Sequence, residues 1–389
     1  MHPYLLSPID YVFVGRGSQP ITFAFSYPGH LDPGMLQNGL ARTLESFPAI
    51  QSLLRKEDDG AFHFEPCPEG MIFEEATAED NFSSHHPIGR YIEPVQTLEG
   101  EPMTRIRITR TPAGTVLAAS ISHALVDGFS YFHFLGSWAK ACRGERWLAP
   151  VPARDYFNRF TGMDTEDFSA DAIRRQSGLF LADEQRSGAE VSHRRERFLL
   201  DGVKIKQLQE EARAQAGASF TANDVVTAHV WHSFFSQTGP LPPGAALYVT
   251  CPVDIRRLAP EVSRLYFGCA LCFATASYPA ADFRDARLGD LALAVKGAIG
   301  AVKADHIAKA MSQLSALWHQ RGVEVMERIH LRHPQRGLIL TNLTRMPIGE
   351  LDFGSGPPAD FSVYVEVRSS AAILPAQNGA EIFLIRGSG

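Results

Sequence analysis

Apolar residues along this chain recur in two rhythms by turns, at every second position in some stretches and at every third or fourth in others. Strand-like and helix-like segments that alternate throughout predict a mixed α/β fold, because a sheet and a helix each carry one apolar face and bury it by stacking together. Ile21 to Tyr27 reads as a strand. Asp32 and Pro33 then supply an N-cap and a first helical residue, Leu36, Leu40 and Leu44 follow at helical spacing, and Phe47-Pro48 ends the element. Asp59-Gly60 between two apolar runs signals a hairpin. Met103 to Arg110 alternates, Thr111 to Gly114 forms a turn, and Val116 to Ser122 is an apolar run, so these read as adjacent strands. From Gly128 the spacing turns helical, with Phe132, Leu135, Ala139 and Cys142 on one face and Gly144 as the stop.

Residues 148 to 198 carry Pro152, many charges and no sustained period, which predicts a crossover between domains. Beyond it the pattern restarts. Thr221 and Asp224 form a capping-box-like start to a helix bearing Val225, Ala228, His232 and Phe235. Leu247 to Val253 alternates as a strand, Leu288, Leu291, Val295 and Val302 mark a long amphipathic helix, and Ile373 and Ile382 to Ile385 read as closing strands. With 389 residues the chain exceeds what one core usually supports. The expected division is 1–165, a linker at 166–198, and 199–389.

The net charge of −6, with no basic block, predicts neither nucleic-acid nor membrane-surface binding. No apolar run reaches the length of a membrane helix, and the first residues lack the pattern of a signal peptide, so a cytoplasmic protein is expected. Five cysteines form no disulfide framework, and an odd count fits a reducing compartment. Cys269 and Cys272 read as small apolar residues on a buried strand rather than as a redox or zinc pair. His229/His232 and His330/His333 are HxxH pairs without the glutamate or third ligand of a zinc site, so no metal is expected. Phosphate loops and GxSxG elbows are missing, which removes support for kinases and serine hydrolases.

The chemistry-bearing segment is SHALVDGFSYFHFLGSWAKACRG, residues 122–144, in which His123, Asp127 and Gly128 form HxxxDG at a strand-to-helix junction. Histidine suits proton transfer at neutral pH, because its ordinary pKa lies there. A strand-end histidine is also a common hydrogen-bonded structural residue, and an Asp before a helix is a good N-cap. Gly128 sits where the chain is expected to turn sharply. Residue type and position leave the catalytic and structural readings both open.

This segment resembles the active-site motif of the BAHD, or HxxxD, acyltransferases. Five other stretches resemble the family in the same order: LSPIDYVF, SFTANDVVTAHVW, VDIRRL, YFGCALCFA and TNLTRMPIGELDFGSGPP. The resemblance implies a chloramphenicol-acetyltransferase-like fold of two α/β domains, with a channel between them that donor and acceptor enter from opposite ends. It implies His123 as general base and Asp127 as a structural partner of Arg256. It also implies that Asp352, Phe353, Gly354 and Gly356 shape the fold, and the Thr341 hydroxyl is a candidate oxyanion or acceptor contact beside nearby backbone N–H groups. Lys204, Lys206, Arg257 and Arg264 lie in the half that would bind the donor.

The implied activity is transfer of an acyl group from a thioester, with acyl-CoA as cosubstrate, to a hydroxyl or amine of a small-molecule acceptor of specialised metabolism. A monomer is expected. Ser355 and Leu343 stand where members carry tryptophan, and Cys269 where they carry asparagine, changes that bear on acceptor recognition. The sequence stops at RGSG just after a strand, so the closing helix of the family is expected to be missing or shortened. Two alternatives remain: a condensation-type enzyme using an acyl-carrier protein, although Ser122 replaces the first histidine of HHxxxDG, and a non-catalytic binding protein of the same fold.

Overall fold

A computed structural model describes residues 4–151, 154–160, 167–186, 193–236, 241–259, 262–364 and 368–387. The first half lays down β1 (Tyr4–Leu5), β2 (Ile21–Pro28), α1 (Pro33–Leu44), β3 (Ser52–Lys56), β4 (Phe62–Pro66), β5 (Met71–Thr77), β6 (Thr104–Thr111), β7 (Gly114–Ile121) and α2 (Gly128–Cys142). Asp32 caps α1 by accepting the Gly34 N–H at 2.8 Å. β3 and β4 pair as a hairpin across Asp59-Gly60, where Gly60 takes φ +89°. That left-handed value is one a glycine adopts without strain. Every residue of β7 is buried, as its apolar run requires of a central strand. α1 and α2 share a core in which Leu36, Leu40, Phe132, Leu135 and Trp138 meet Phe23, Phe25 and Leu117 of the sheet.

The rest comprises α3 (Ala170–Ser177), β8 (Phe180–Leu181), β9 (His193–Asp201), α4 (Gly202–Ala216), α5 (Ala222–Phe235), β10 (Ala246–Asp254), β11 (Leu271–Pro279), α6 (Leu288–Ala301), α7 (Ala304–Arg321), β12 (Ile329–His330), β13 (Gly337–Asn342), β14 (Asp360–Val363), β15 (Ser370–Ala376) and β16 (Gly379–Gly387). Six strands form one sheet in the order β11-β10-β13-β15-β16-β9, with β13 parallel to both its neighbours. Alternation along the strands gives this sheet two apolar faces. Leu338, Leu340, Ile373 and Ile382 pack with Trp231 and Leu291 of the helices, whereas Ala372, Leu374 and Phe273 join the core of the first half.

β14 leaves its own half of the sequence and pairs with β2, completing a five-stranded sheet β14-β2-β7-β6-β5. One short helix escapes the periodicity. α3 has eight residues, too few for a helical rhythm to register, yet Ser169 caps it through the Ala172 N–H and Gly178 ends it at φ +73°. It stands inside the stretch read as an aperiodic linker.

Candidate active site

His123 occupies the connection between β7 and α2. Four residues on, Asp127 is the N-cap of α2, its Oδ1 accepting the Ser130 N–H at 2.9 Å. The same carboxylate also meets the Arg256 guanidinium in two contacts, Nη1 to Oδ2 at 2.6 Å and Nη2 to Oδ1 at 3.0 Å, and accepts the Ala270 N–H at 2.9 Å. Capping and ion pairing therefore fall on one residue. Burial alone would raise the Asp127 carboxyl, but the Arg256 charge and these donors outweigh it and hold the pKa below the ordinary value. Arg256 is itself fixed by the carbonyls of Tyr266 and Gly268, so the YFGC stretch and the VDIRRL stretch close around the His123 loop. A fork of this kind is bidentate and planar, which sets direction as well as distance.

A second buried ion pair grips the other side of the loop. Arg154 meets Asp10 at 3.0 Å, with both side chains almost fully enclosed. The same guanidinium donates to the carbonyls of Ala124 and Leu125, directly after His123. Asp10 belongs to LSPID and accepts the Ser7 N–H at 2.7 Å; burial pushes its carboxyl up to about 6 against the pull of Arg154. Sequence reasoning matched the motif containing Asp10 but missed Arg154, because a lone arginine in an aperiodic charged stretch carries no signal of its partner.

The imidazole of His123 lies flat against Phe13, with centroids 4.1 Å apart and planes 4° from parallel. Ser122 beside it shares a hydrogen bond with Thr97 through their hydroxyls at 2.7 Å, and the Thr97 carbonyl accepts the Gly15 N–H at 2.9 Å. His123 Nδ1 is enclosed without a hydrogen-bond partner, while the residue keeps part of its surface open. Burial lowers the pKa of the ring below 6.5, against the weaker opposing pull of backbone carbonyls and Asp127. The ring is thus neutral near pH 7 and able to take a proton.

The other expected residues fall into several places. Gly128 takes no positive φ, and a Cβ there would meet Met346 Sδ at an ordinary 3.5 Å, so the expectation of a sharp glycine turn is corrected: the Asp127 cap makes the turn. Thr341 lies on β13, partly exposed, and the turn that follows brings Met346 against the start of α2. Asp352 Oδ1 accepts the N–H groups of Gly354 and Gly356 at 2.7 and 2.9 Å, and its carbonyl takes the Arg143 guanidinium at the end of α2. Phe353 is buried edge-on against Trp138 at 4.9 Å. This cluster ties α2 to the DFG stretch. Cys269 and Cys272 are buried, and burial pushes the Cys272 thiol up to about 12.

The four expected donor-binding cations do not converge. Lys204 and Lys206 are exposed on the first turns of α4, which packs with α5 and α6, whereas Arg257 and Arg264 are exposed on the connection between β10 and β11. Among the described residues no group of three His, Cys, Asp or Glu side chains could hold a metal. His232 and His330 instead bond the carbonyls of Arg284 and Glu184, each at 3.1 Å. No helix among the described residues is long and apolar enough to cross a membrane.

Two α/β halves, with β14 of the second completing the sheet of the first, share the chloramphenicol-acetyltransferase-like fold. The chain belongs to the Transferase family, that of the BAHD acyltransferases, whose model matches residues 5–384. It is 27% identical over 371 residues to a hydroxycinnamoyl-CoA:5-hydroxyanthranilate N-hydroxycinnamoyltransferase of Avena sativa, covering 90% of this chain and 81% of the relative. It is 26% identical to hydroxycinnamoyltransferase 2 of Oryza sativa subsp. japonica, covering 97% and 87%. TRI101 of F. graminearum, solved with coenzyme A and deoxynivalenol, shares the fold at a TM-score of 0.81 and 15% identity, over 100% of this chain and 96% of that one.

Proposed function

We propose that this acyltransferase moves an acyl group from acyl-CoA to a hydroxyl or amine of a small-molecule acceptor of specialised metabolism, with His123 as general base. The carrying observation is a neutral imidazole, partly open, on a loop locked by Asp127–Arg256 and Asp10–Arg154. The acceptor oxygen or nitrogen attacks the thioester carbonyl while the imidazole takes its proton. The tetrahedral adduct then collapses, the C–S bond breaks, and the imidazolium returns the proton to the departing thiolate. Asp127 moves no proton, since both its oxygens are engaged by Arg256 and backbone donors. Oxyanion donors come from the Thr341 hydroxyl or backbone N–H groups, each worth about 3 kcal/mol when well placed.

The names of the curated relatives support acyl-CoA as donor and an amine or hydroxyl as acceptor. A carrier-protein thioester is the second reading. Against it, Ser122 stands at the first position of HHxxxDG, and its hydroxyl is committed to Thr97. The test is thiol release from a panel of free acyl-CoA thioesters, with and without acceptors. Turnover only with an acyl-carrier protein would put the second reading first, and no turnover with any thioester would favour a binding protein.

A further inference from the structure

A knot of positive and donor groups gathers ahead of β13, without a carboxylate in ion-pair reach among the described residues. Arg332 gives Nη1 to two carbonyls of its own loop, those of His333 and Pro334, at 3.3 and 2.9 Å. Its Nε is enclosed with no partner. Burial and the neighbouring Arg368 push the Arg332 pKa down to about 10. Arg186 likewise has an enclosed, unpartnered Nε; its other nitrogens hold the carbonyls of Val12 and Val14. The nearby acids are engaged elsewhere or act at a distance. Asp183 pairs with Arg328 at 3.4 Å, and Glu327 and Glu184 only temper the charge felt at Arg186 and His330.

His333 adds a contact that does not balance. Its Nδ1 faces the backbone N–H groups of Gln335 and Arg336, both at 3.2 Å, and its Nε2 faces Arg336 Nη2 at 2.9 Å. A neutral imidazole carries one N–H, so with donors against both ring nitrogens one side meets donor with donor in either tautomer. The plane of the ring is held by its stack on Tyr248, at 5.5 Å and 5°, and by the edge-on contact with Phe180. Burial and the surrounding arginines push its pKa down to about 4, so the ring is neutral near pH 7 and carries a single N–H. An enclosed guanidinium nitrogen and two opposed donors are costly in a folded protein unless an acceptor arrives to satisfy them.

We infer that Arg332, Arg336, His333 and Arg368 form a binding site for an oxyanion, a carboxylate or phosphate carried by one of the cosubstrates. Position favours the acceptor's carboxylate. The cluster adjoins Tyr248 at the start of β10, whereas Arg256 and the exposed Arg257 follow its last residue, Asp254. Six residue steps of strand, from Tyr248 to Asp254, separate the two by roughly 20 Å. Arg186 connects the cluster to the reacting centre, since Val12 and Val14 flank the Phe13 that lies on His123. This deepens the proposed acyl transfer by naming an acidic acceptor, and it can be tested without turnover.

The full chain is titrated calorimetrically with benzoate and with inorganic phosphate, alongside Arg332→Gln and the exposed Arg368→Gln, which keeps the test decisive if the first variant fails to fold. At least one anion should bind the parent protein and bind a folded variant tenfold or more weakly. Steady-state measurements then separate the sources. With an acceptor carboxylate, the variants raise KM for an acidic acceptor at least tenfold more than for its methyl ester. With a donor phosphate, they raise KM for the acyl-CoA thioester but not for its 3′-dephospho form; the site stands and its ligand is the donor. Neither anion binding, or equal binding by parent and variants, overturns the site. Binding without turnover of any thioester rejects the acyl-transfer reading and leaves the site in place.

Discussion

Phe13 covers one face of His123, the two rings 4.1 Å apart and nearly parallel. The stack places the LSPIDYVF stretch directly on the proposed base and supplies part of the burial that keeps the imidazole neutral. An aromatic pair of this geometry contributes about 0.5–1.5 kcal/mol. Phe13→Leu should therefore lower kcat/KM by about two- to tenfold and move the His123 pKa up toward 6.5, read by NMR titration of the ring. An unmoved ring pKa with a reduced rate would mean that Phe13 shapes the channel without affecting the base.

Because burial depresses the His123 pKa, kcat/KM should rise with pH through a single inflection below 6.5 and stay level near neutrality. The sign for stability follows. The unfolded chain binds this proton more readily than the folded one, so the contribution is complete above the unfolded pKa and is lost as pH falls toward the folded value. His123→Ala should remove the inflection and cut turnover about 10²- to 10⁴-fold while the protein stays folded. An inflection that survives in the variant would assign it to another group.

Asp127 and Arg256 form a bidentate pair with both side chains almost fully buried. Removing either partner leaves a buried charge, at a cost of about 3–5 kcal/mol. Asp254, also 3.0 Å from Arg256, softens the loss of Asp127. The double variant Asp127→Ala/Arg256→Met should be less destabilised than the sum of the single ones, measured by denaturant unfolding. Additive effects would contradict the pairing.

Arg154 offers a parallel test on the other side of the loop. Arg154→Met strips the partner from buried Asp10 and the donors from the Ala124 and Leu125 carbonyls. The expected loss is again about 3–5 kcal/mol, with Asp10→Asn milder because burial already favours its neutral form. Equal losses in the two variants would show that the carboxylate charge matters as much as the guanidinium.

How much of this was legible beforehand depends on the range over which each feature acts. The Asp32 cap, the Asp59-Gly60 hairpin, the β6–β7 pair, the Thr221–Asp224 capping box and α6 are written in residues a few positions apart, and the structure has them. His123 and Asp127 were legible as a pair of types, and Arg256 through family resemblance. The pairing of β14 with β2 and of Arg154 with Asp10 joins residues more than a hundred positions apart, and no periodicity encodes such a meeting. The opposed donors at His333 and Arg336 arise from ring orientation, which the HxxH spacing does not reveal.

The donor end yields the last prediction, sharpened by where its cations lie. Coenzyme A is polyanionic and the protein carries a net charge of −6, so local cations must offset the repulsion. Arg257 follows Arg256 directly, and Arg264 lies on the same β10–β11 connection that supplies Tyr266 and Gly268 to the Arg256 cluster. Lys204 and Lys206 project from α4, whose contacts are with α5, α6, β9 and β16. Arg257→Gln and Arg264→Gln should thus raise KM for acyl-CoA and flatten its rise with salt, since exposed phosphate contacts are screened over about 8–10 Å at ordinary ionic strength. Lys204→Gln and Lys206→Gln should leave both quantities near the parent values. The reverse pattern, with the lysines controlling KM and the arginines silent, would move the donor's phosphates to α4 and away from the His123 loop.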